Sequence, residues 1–123
     1  MRRPERVAET LREEISEIVG YELDDPRVQN LTVTEVKLAE NMRDAKVFVL
    51  AEGSEEEIDA ALVALKHAAP YIRKQLAFAL NLRHAPALHF ARDTVEERAN
   101  RIENILSEIK TERQNDEVMN DGN

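Results

Sequence analysis

Apolar residues recur along this chain at two spacings, and the switches between them mark out its elements. From Pro4 to about Glu22 the residues Val7, Leu11, Ile15 and Ile18 share one stripe, and Glu9, Arg12, Glu13 and Glu17 fall opposite. That spacing predicts a helix with one face on a core and the other in water. Asp24-Asp25-Pro26-Arg27 stops it, because the residue before a proline is pushed out of the helical region. Period two then takes over. Leu31 to Leu38, rich in Thr and Val, reads as a strand with Thr32, Thr34, Val36 and Leu38 on one face. Leu31 and Val33 on the other face leave its register open. Ala45 to Ala51 is a second strand with Val47 and Val49 inward and Lys46 and Phe48 outward. The polar connection from Ala39 to Asp44 is short enough for an antiparallel hairpin.

The longest periodic stretch follows. Ile58, Leu62, Leu65, Ala69, Ile72, Leu76 and Leu80 are spaced alternately four and three apart, one side of a helix. Ser54 and Glu57 form a capping box at its start. Pro70 interrupts the run: it has no N–H for the Lys66 carbonyl, and its ring disfavours the helical state of Ala69. The pattern therefore predicts two helices meeting at a kink, Ala68-Ala69-Pro70, with Pro70 at the first position of the second. Pro86 opens a third strand, Ala87 to Ala91, with Leu88 and Phe90 inward. Thr94 and Glu97 make another capping box before a helix from Val95 to about Lys110, striped by Val95, Ala99, Ile102, Leu106 and Ile109. Residues 111–123 are polar and acidic and are expected to be a disordered tail. The order helix, strand, strand, helix, kink, helix, strand, helix fits an α+β domain over residues 1–110, with a three-stranded sheet and helices on one face.

Charge changes the picture at the centre of the chain. The formal net charge is -8, which by itself argues against a polyanionic partner. Yet the charge is segregated, and a phosphate senses only the field within a Debye length, about 8 Å in physiological salt. From Ala51 to Leu65 there are acids (Glu52, Glu55, Glu56, Glu57, Asp59) and no base; from Lys66 to Arg92 there are bases (Lys66, Arg73, Lys74, Arg83, Arg92) and no acid. This run is the candidate binding surface. Arg3 and Arg6 add cations at the start of the first helix, where the helix dipole opposes them unless an external anion is present.

Other chemistry is sparse. There is no cysteine, so neither a disulfide framework nor a thiolate metal site is expected. His67, His84 and His89 lack the spacing of metal ligands, and no phosphate loop, dinucleotide turn or nucleophile elbow occurs. No catalytic residue, metal, cofactor or small-molecule substrate is expected. No apolar run has signal-peptide or membrane-span length, so a cytoplasmic protein without a membrane partner is expected. Tyr71 and Phe78 are read as packing residues.

Taken together these residues resemble the ribosome-binding factor A family. The resemblance is carried by Arg3-Pro4 with Arg6-Val7, Asp25-Pro26-Arg27, Val36 with Leu38, Ala45-Lys46-Val47, Ala68, Ile72-Arg73, Leu82-Arg83, and Pro86, Leu88, Phe90 and Asp93 in register. It departs where the family has Ala-x-Gly at the kink, since Pro70 stands in the glycine's place, and in the hairpin, where Ala39 and Asn41 replace Ser and Asp. The resemblance implies a type II KH-like domain. It implies a monomeric, non-catalytic assembly factor that binds the immature small ribosomal subunit and its rRNA, on free subunits rather than full ribosomes, during late maturation and 16S rRNA processing, in a setting of cold adaptation. Ordinary KH domains grip backbone with a Gly-x-x-Gly loop, but the glycines here are Gly20, Gly53 and Gly122. RNA contact is thus assigned to Lys66, Arg73, Lys74, Arg83, Arg3 and Arg6, helped by free N–H groups at the start of the post-kink helix. The rival reading is a protein-interaction module of the same fold, binding through the sheet face around Phe48 or through the last helix.

Overall fold

The computed structural model describes residues 3–94 and, beyond them, 96, 98 and 99. The chain divides into two units, Met1–Asp93 and Thr94–Asn123. In the second, the Arg98 N–H donates to the Thr94 carbonyl at 3.0 Å, a helical bond. The expected box between Thr94 and Glu97, the remainder of the helix to Lys110 and the tail 111–123 lie outside the described residues.

Within the first unit, helix α1 (Arg3–Glu17) widens into a π turn, Ile18–Glu22, closed by the Leu23 N–H on the Ile18 carbonyl at 3.2 Å. The helical segment therefore reaches Glu22, as its stripe predicts. Leu11, Ile15 and Ile18 are buried, and Val7 packs at the edge. A short 3-10 turn, Pro26–Val28, follows, capped by the Asp25 carboxylate on the Arg27 N–H at 2.9 Å. Strand β1 (Leu31–Leu38) pairs antiparallel with β2 (Asp44–Ala51), and β3 (Ala87–Arg92) lies parallel on the other side of β2. A parallel partner needs a long crossover, and here the crossover is helix α2 (Glu55–Ala79). The first unit thus has two α-helices and one three-stranded sheet, in the order β1-β2-β3.

The open register of β1 is resolved by a bulge. Val33 faces Val49, whereas Glu35 faces Phe48, so Thr34 is the extra residue. That insertion switches the alternation and lets both Val33 and Val36 point into the core. The Thr34 hydroxyl uses the bulge to donate to Asp93 Oδ2 at 2.6 Å, with the Phe48 carbonyl a longer acceptor at 3.2 Å. Asp93 is buried, and its own N–H donates to the Val49 carbonyl at 2.7 Å. Val33, Val36, Ala45, Val47 and Val49 form the inner face of the sheet, and stripes from α1 and α2 close over it as one layer, with Leu88 and Phe90 at its border. Phe48 points to the opposite face but is only 2% exposed, with Lys46 Nζ 5.1 Å from its ring centroid. Phe48 itself is therefore covered, while Lys46 and Leu50, its neighbours on that face of β2, are exposed.

Helix α2 also differs from expectation. Its capping box is present, with Ser54 Oγ accepting from the Glu57 N–H at 3.2 Å and Glu57 Oε1 from the Ser54 N–H at 3.4 Å. The two helices expected around Ala68-Ala69-Pro70 are instead one, running from Glu55 to Ala79 with Pro70 inside it. Packing overrides local preference here. Leu65, Ile72 and Leu76, on both sides of the proline, are fully buried, while Lys66 and Pro70 are exposed. The missing bond thus lies on the water side, where solvent can serve the Lys66 carbonyl. Among the described residues no helix is long and apolar enough to cross a membrane.

Two outcomes follow from this arrangement. Pro70→Ala restores the bond to the Lys66 carbonyl without moving the buried stripe and should raise stability by about 1–3 kcal/mol; a lowered urea midpoint would show that packing needs the proline. Side-chain hydrogen bonds from Arg27 and Arg12 hold the Asp25 and Glu9 carboxyls below their ordinary values. A depressed folded value means that the contribution to stability is present at neutral pH and is lost as pH falls through that value. NMR titration should therefore find Asp25 and Glu9 ionising at lower pH in the folded chain than in an unfolded peptide.

Candidate nucleic-acid interface

Lys66, Arg73 and Lys74 all come from the outer side of α2, and all three are exposed. Lys66 and Arg73, seven apart, lie on one line along the helix, and Lys74 lies about a quarter turn further round. Because α2 is unbroken, there is no second helix N-terminus at Pro70 and no set of free N–H groups there to hold an anion. Glu55, Glu56 and Glu57 lie in the first turn of this single helix, where they suit its dipole, and the cations lie at its middle and beyond, short of its last turn. The crowding penalty expected at a post-kink N-terminus does not arise.

The end of α2 is built to turn the chain sharply. Asn81 takes the left-handed conformation, φ 54°. Its N–H donates to the Phe78 carbonyl at 3.4 Å, and the Leu82 N–H donates to the Ala77 carbonyl at 2.8 Å. This is a Schellman closure with asparagine in the place usual for glycine. It packs Leu82 against the core and leaves the next residue, Arg83, exposed. Leu80 and Leu82 then meet Arg6, Val7, Thr10 and Leu11 of α1 around a shallow groove of about 270 Å³. Arg6, remote in sequence, is thereby brought beside the segment that carries Arg83, and Arg3 opens the same helix.

The cations do not all have the same freedom. Arg73 reaches across to the connection before β3, donating from Nη2 to the Ala85 carbonyl at 3.0 Å and from Nε to the Pro86 carbonyl at 3.1 Å. It fastens the loop to the helix. Arg92 pairs with Glu55 at 2.8 Å, and His89 lies 3.0 Å from Asp44. Lys66, Lys74, Arg83 and Arg6 make no ion pair among the described residues. Among those residues there is also no group of three or more His, Cys, Asp or Glu placed to hold a metal.

The structure corrects the reading of two residues. Phe78 is 86% exposed and is not a packing residue, whereas Tyr71, 43% exposed, packs only in part. The signal lies in the spacing: both fall off the stripe from Ile58 to Leu80, on the side that carries Lys74.

A family model described as ribosome-binding factor A matches residues 3–106. The ribosome-binding factor A of Thermomicrobium roseum is 47% identical over 115 residues, covering 94% of this chain and 89% of that one. The crystal structure of ribosome-binding factor A from Thermus thermophilus superposes with a TM-score of 0.65 at 30% identity, over 72% of this chain and 94% of that chain. The Thermus thermophilus homology model fitted into a cryo-EM map of a 30S–RbfA complex matches with a TM-score of 0.62 at 31% identity, over 72% of this chain and 92% of that chain. The α+β layout described above is accordingly KH-like.

The contrast between neighbouring cations can be measured. Arg73→Ala removes two charged hydrogen bonds to loop carbonyls and should lower unfolding stability by about 1 kcal/mol or more. Lys74→Ala, with no partner to lose, should change it by less than about 0.5 kcal/mol. Equal effects in chemical denaturation would mean that Arg73 does not fasten the loop.

Proposed function

The chain belongs to the ribosome-binding factor A family, and on that premise we propose that it is a non-catalytic assembly factor that binds the immature small ribosomal subunit through its rRNA. The observation that carries this reading is the set of exposed cations without ion-pair partners, Lys66, Lys74 and Arg83 with Arg6 nearby, in a stretch that has no acid from Lys66 to Arg92. Such a set on a chain of net charge -8 gives one face that attracts phosphate and others that repel it. Arg73 serves the same face indirectly, by fastening the loop beside it, and Arg3 extends it along α1.

In this reading the protein acts as a monomer in the cytoplasm, on free small subunits during late maturation and 16S rRNA processing. It favours one local RNA conformation by binding that state more tightly than its alternative, and it leaves when the preferred state is gone. Cold adaptation fits the same logic, since low temperature stabilises misfolded RNA pairings that a binding factor can disfavour. No cofactor takes part.

Charge reversal tests the reading. Lys66→Glu with Lys74→Glu should abolish co-sedimentation with purified small subunits and leave the melting temperature nearly unchanged, because both residues are exposed. Lys37→Glu with Arg43→Glu makes the same change in net charge on the hairpin and should leave binding largely intact. With about four phosphates neutralised, log affinity for single-stranded RNA should fall against log salt with a slope of about -3. Equal loss from both pairs, or binding indifferent to salt, would refute the assignment.

A further inference from the structure

The outer side of α2 carries rings as well as charges. Tyr71 and Phe78 are seven residues apart, two helical turns, which sets them about 10 Å apart along the axis. Lys74 stands between them, three residues after Tyr71 and four before Phe78, the separations at which helical side chains are neighbours. His67 extends the strip one turn earlier. Of the two tyrosines and three phenylalanines in the chain, Phe48 is buried and Phe90 half-buried, Tyr21 stands alone on the π turn at 88% exposure, and Phe78, 86% exposed, and Tyr71, 43% exposed, share one helix side. Single apolar residues in water are ordinary. Two aromatic rings in one line with a cation between them, on a stretch without an acid, form a patterned surface.

We propose that this strip is a stacking platform for unpaired RNA, with one base on Tyr71, one on Phe78, and the intervening phosphate on Lys74. The inference rests on the RNA-binding reading above and deepens it by naming the form of RNA and the residues that select it. The pattern ring, cation, ring repeats the alternation of base and phosphate along a single strand. Bases in a duplex stack on each other and offer no face to a side chain, so recognition by stacking selects loops, bulges and ends. The absence of acid over the strip favours this anionic polymer over an acid-rimmed or neutral protein groove. Phe78 is almost fully exposed and Tyr71 presents a little under half of its surface, so both offer ring area to a ligand.

The test uses the full chain, purified small subunits, a mixed-sequence single-stranded RNA oligonucleotide and the same oligonucleotide annealed to its complement. Tyr71→Ala with Phe78→Ala should weaken single-strand binding by about 10-fold or more for each ring lost, leave the salt slope unchanged, and leave weak duplex binding as it was. Tyr71→Phe should restore most of the loss at that position. The chain has no tryptophan, so Tyr21→Phe leaves Tyr71 as the sole tyrosine, and its emission should be quenched by the single strand but not by the duplex. Melting curves of the parent, Tyr71→Phe and Phe78→Ala should nearly coincide, because Phe78 is 86% exposed and Tyr71→Phe keeps the ring, and the double variant should remain folded at the temperature of the binding measurement. If the double variant binds single strand and subunit as tightly as the parent, the stacking inference fails while the charge-based reading stands. If it loses subunit binding yet binds the oligonucleotide normally and Tyr71 is not quenched, the strip meets a ribosomal protein and the inference fails. If the parent chain binds neither RNA nor subunit, both readings fall together.

Discussion

Three side chains on α2, Leu65, Ile72 and Leu76, have no exposure at all, and their burial against the sheet carries a single helix past Pro70. Each buried leucine or isoleucine is worth about 1.5–3 kcal/mol relative to water, and together they outweigh the roughly 3 kcal/mol that an interior proline costs. Once the helix is continuous, its outer side is determined residue by residue. Lys66, His67, Pro70, Tyr71, Lys74 and Phe78 face water because their neighbours at helical spacing are in the core. The candidate interface follows from that packing and has no separate architecture of its own.

The sheet is arranged to support the same helix. The bulge at Thr34 turns both Val33 and Val36 toward α1 and α2, and its hydroxyl ties the bulge to buried Asp93 just past the end of β3. The antiparallel hairpin supplies two strands cheaply, and the third is reached only by crossing over through α2. The end of that crossover is closed by the Schellman turn at Asn81 and fastened by Arg73 on the carbonyls of Ala85 and Pro86. Arg73 therefore shapes the surface, whereas Lys66, Lys74 and Arg83 make no ion pair among the described residues. A cation that already has acceptors contributes less to a new phosphate contact, because it must give up those bonds to make it.

The absence of a Gly-x-x-Gly loop leaves this KH-like chain without the backbone grip of ordinary KH domains. In the proposed function its place is taken by a row of side chains on helix α2. Side chains on a helix keep fixed spacings, so charge and ring positions repeat with the turn of the helix and not with the flexibility of a loop. Under the proposed function such spacing would favour a preferred RNA conformation over a particular base sequence.

Much of this was legible in the sequence, for a definite reason. Element identity depends on local periodicity, so the stripes of α1 and α2, the hairpin, the Ser54–Glu57 box and the inward pair Leu88 and Phe90 could be read from spacing alone. The segregation of charge between Leu65 and Lys66 is likewise a property of the sequence. Three features needed the tertiary structure. Local rules split α2 at Pro70, because they count the lost hydrogen bond and cannot count the burial of Ile72 and Leu76 beyond it. The register of β1 turned on a bulge that exists only against β2. The occupation of Arg73 by two loop carbonyls depends on where the chain returns after Asn81. Pattern determines what each segment becomes; packing between distant segments decides which side chains remain free to bind.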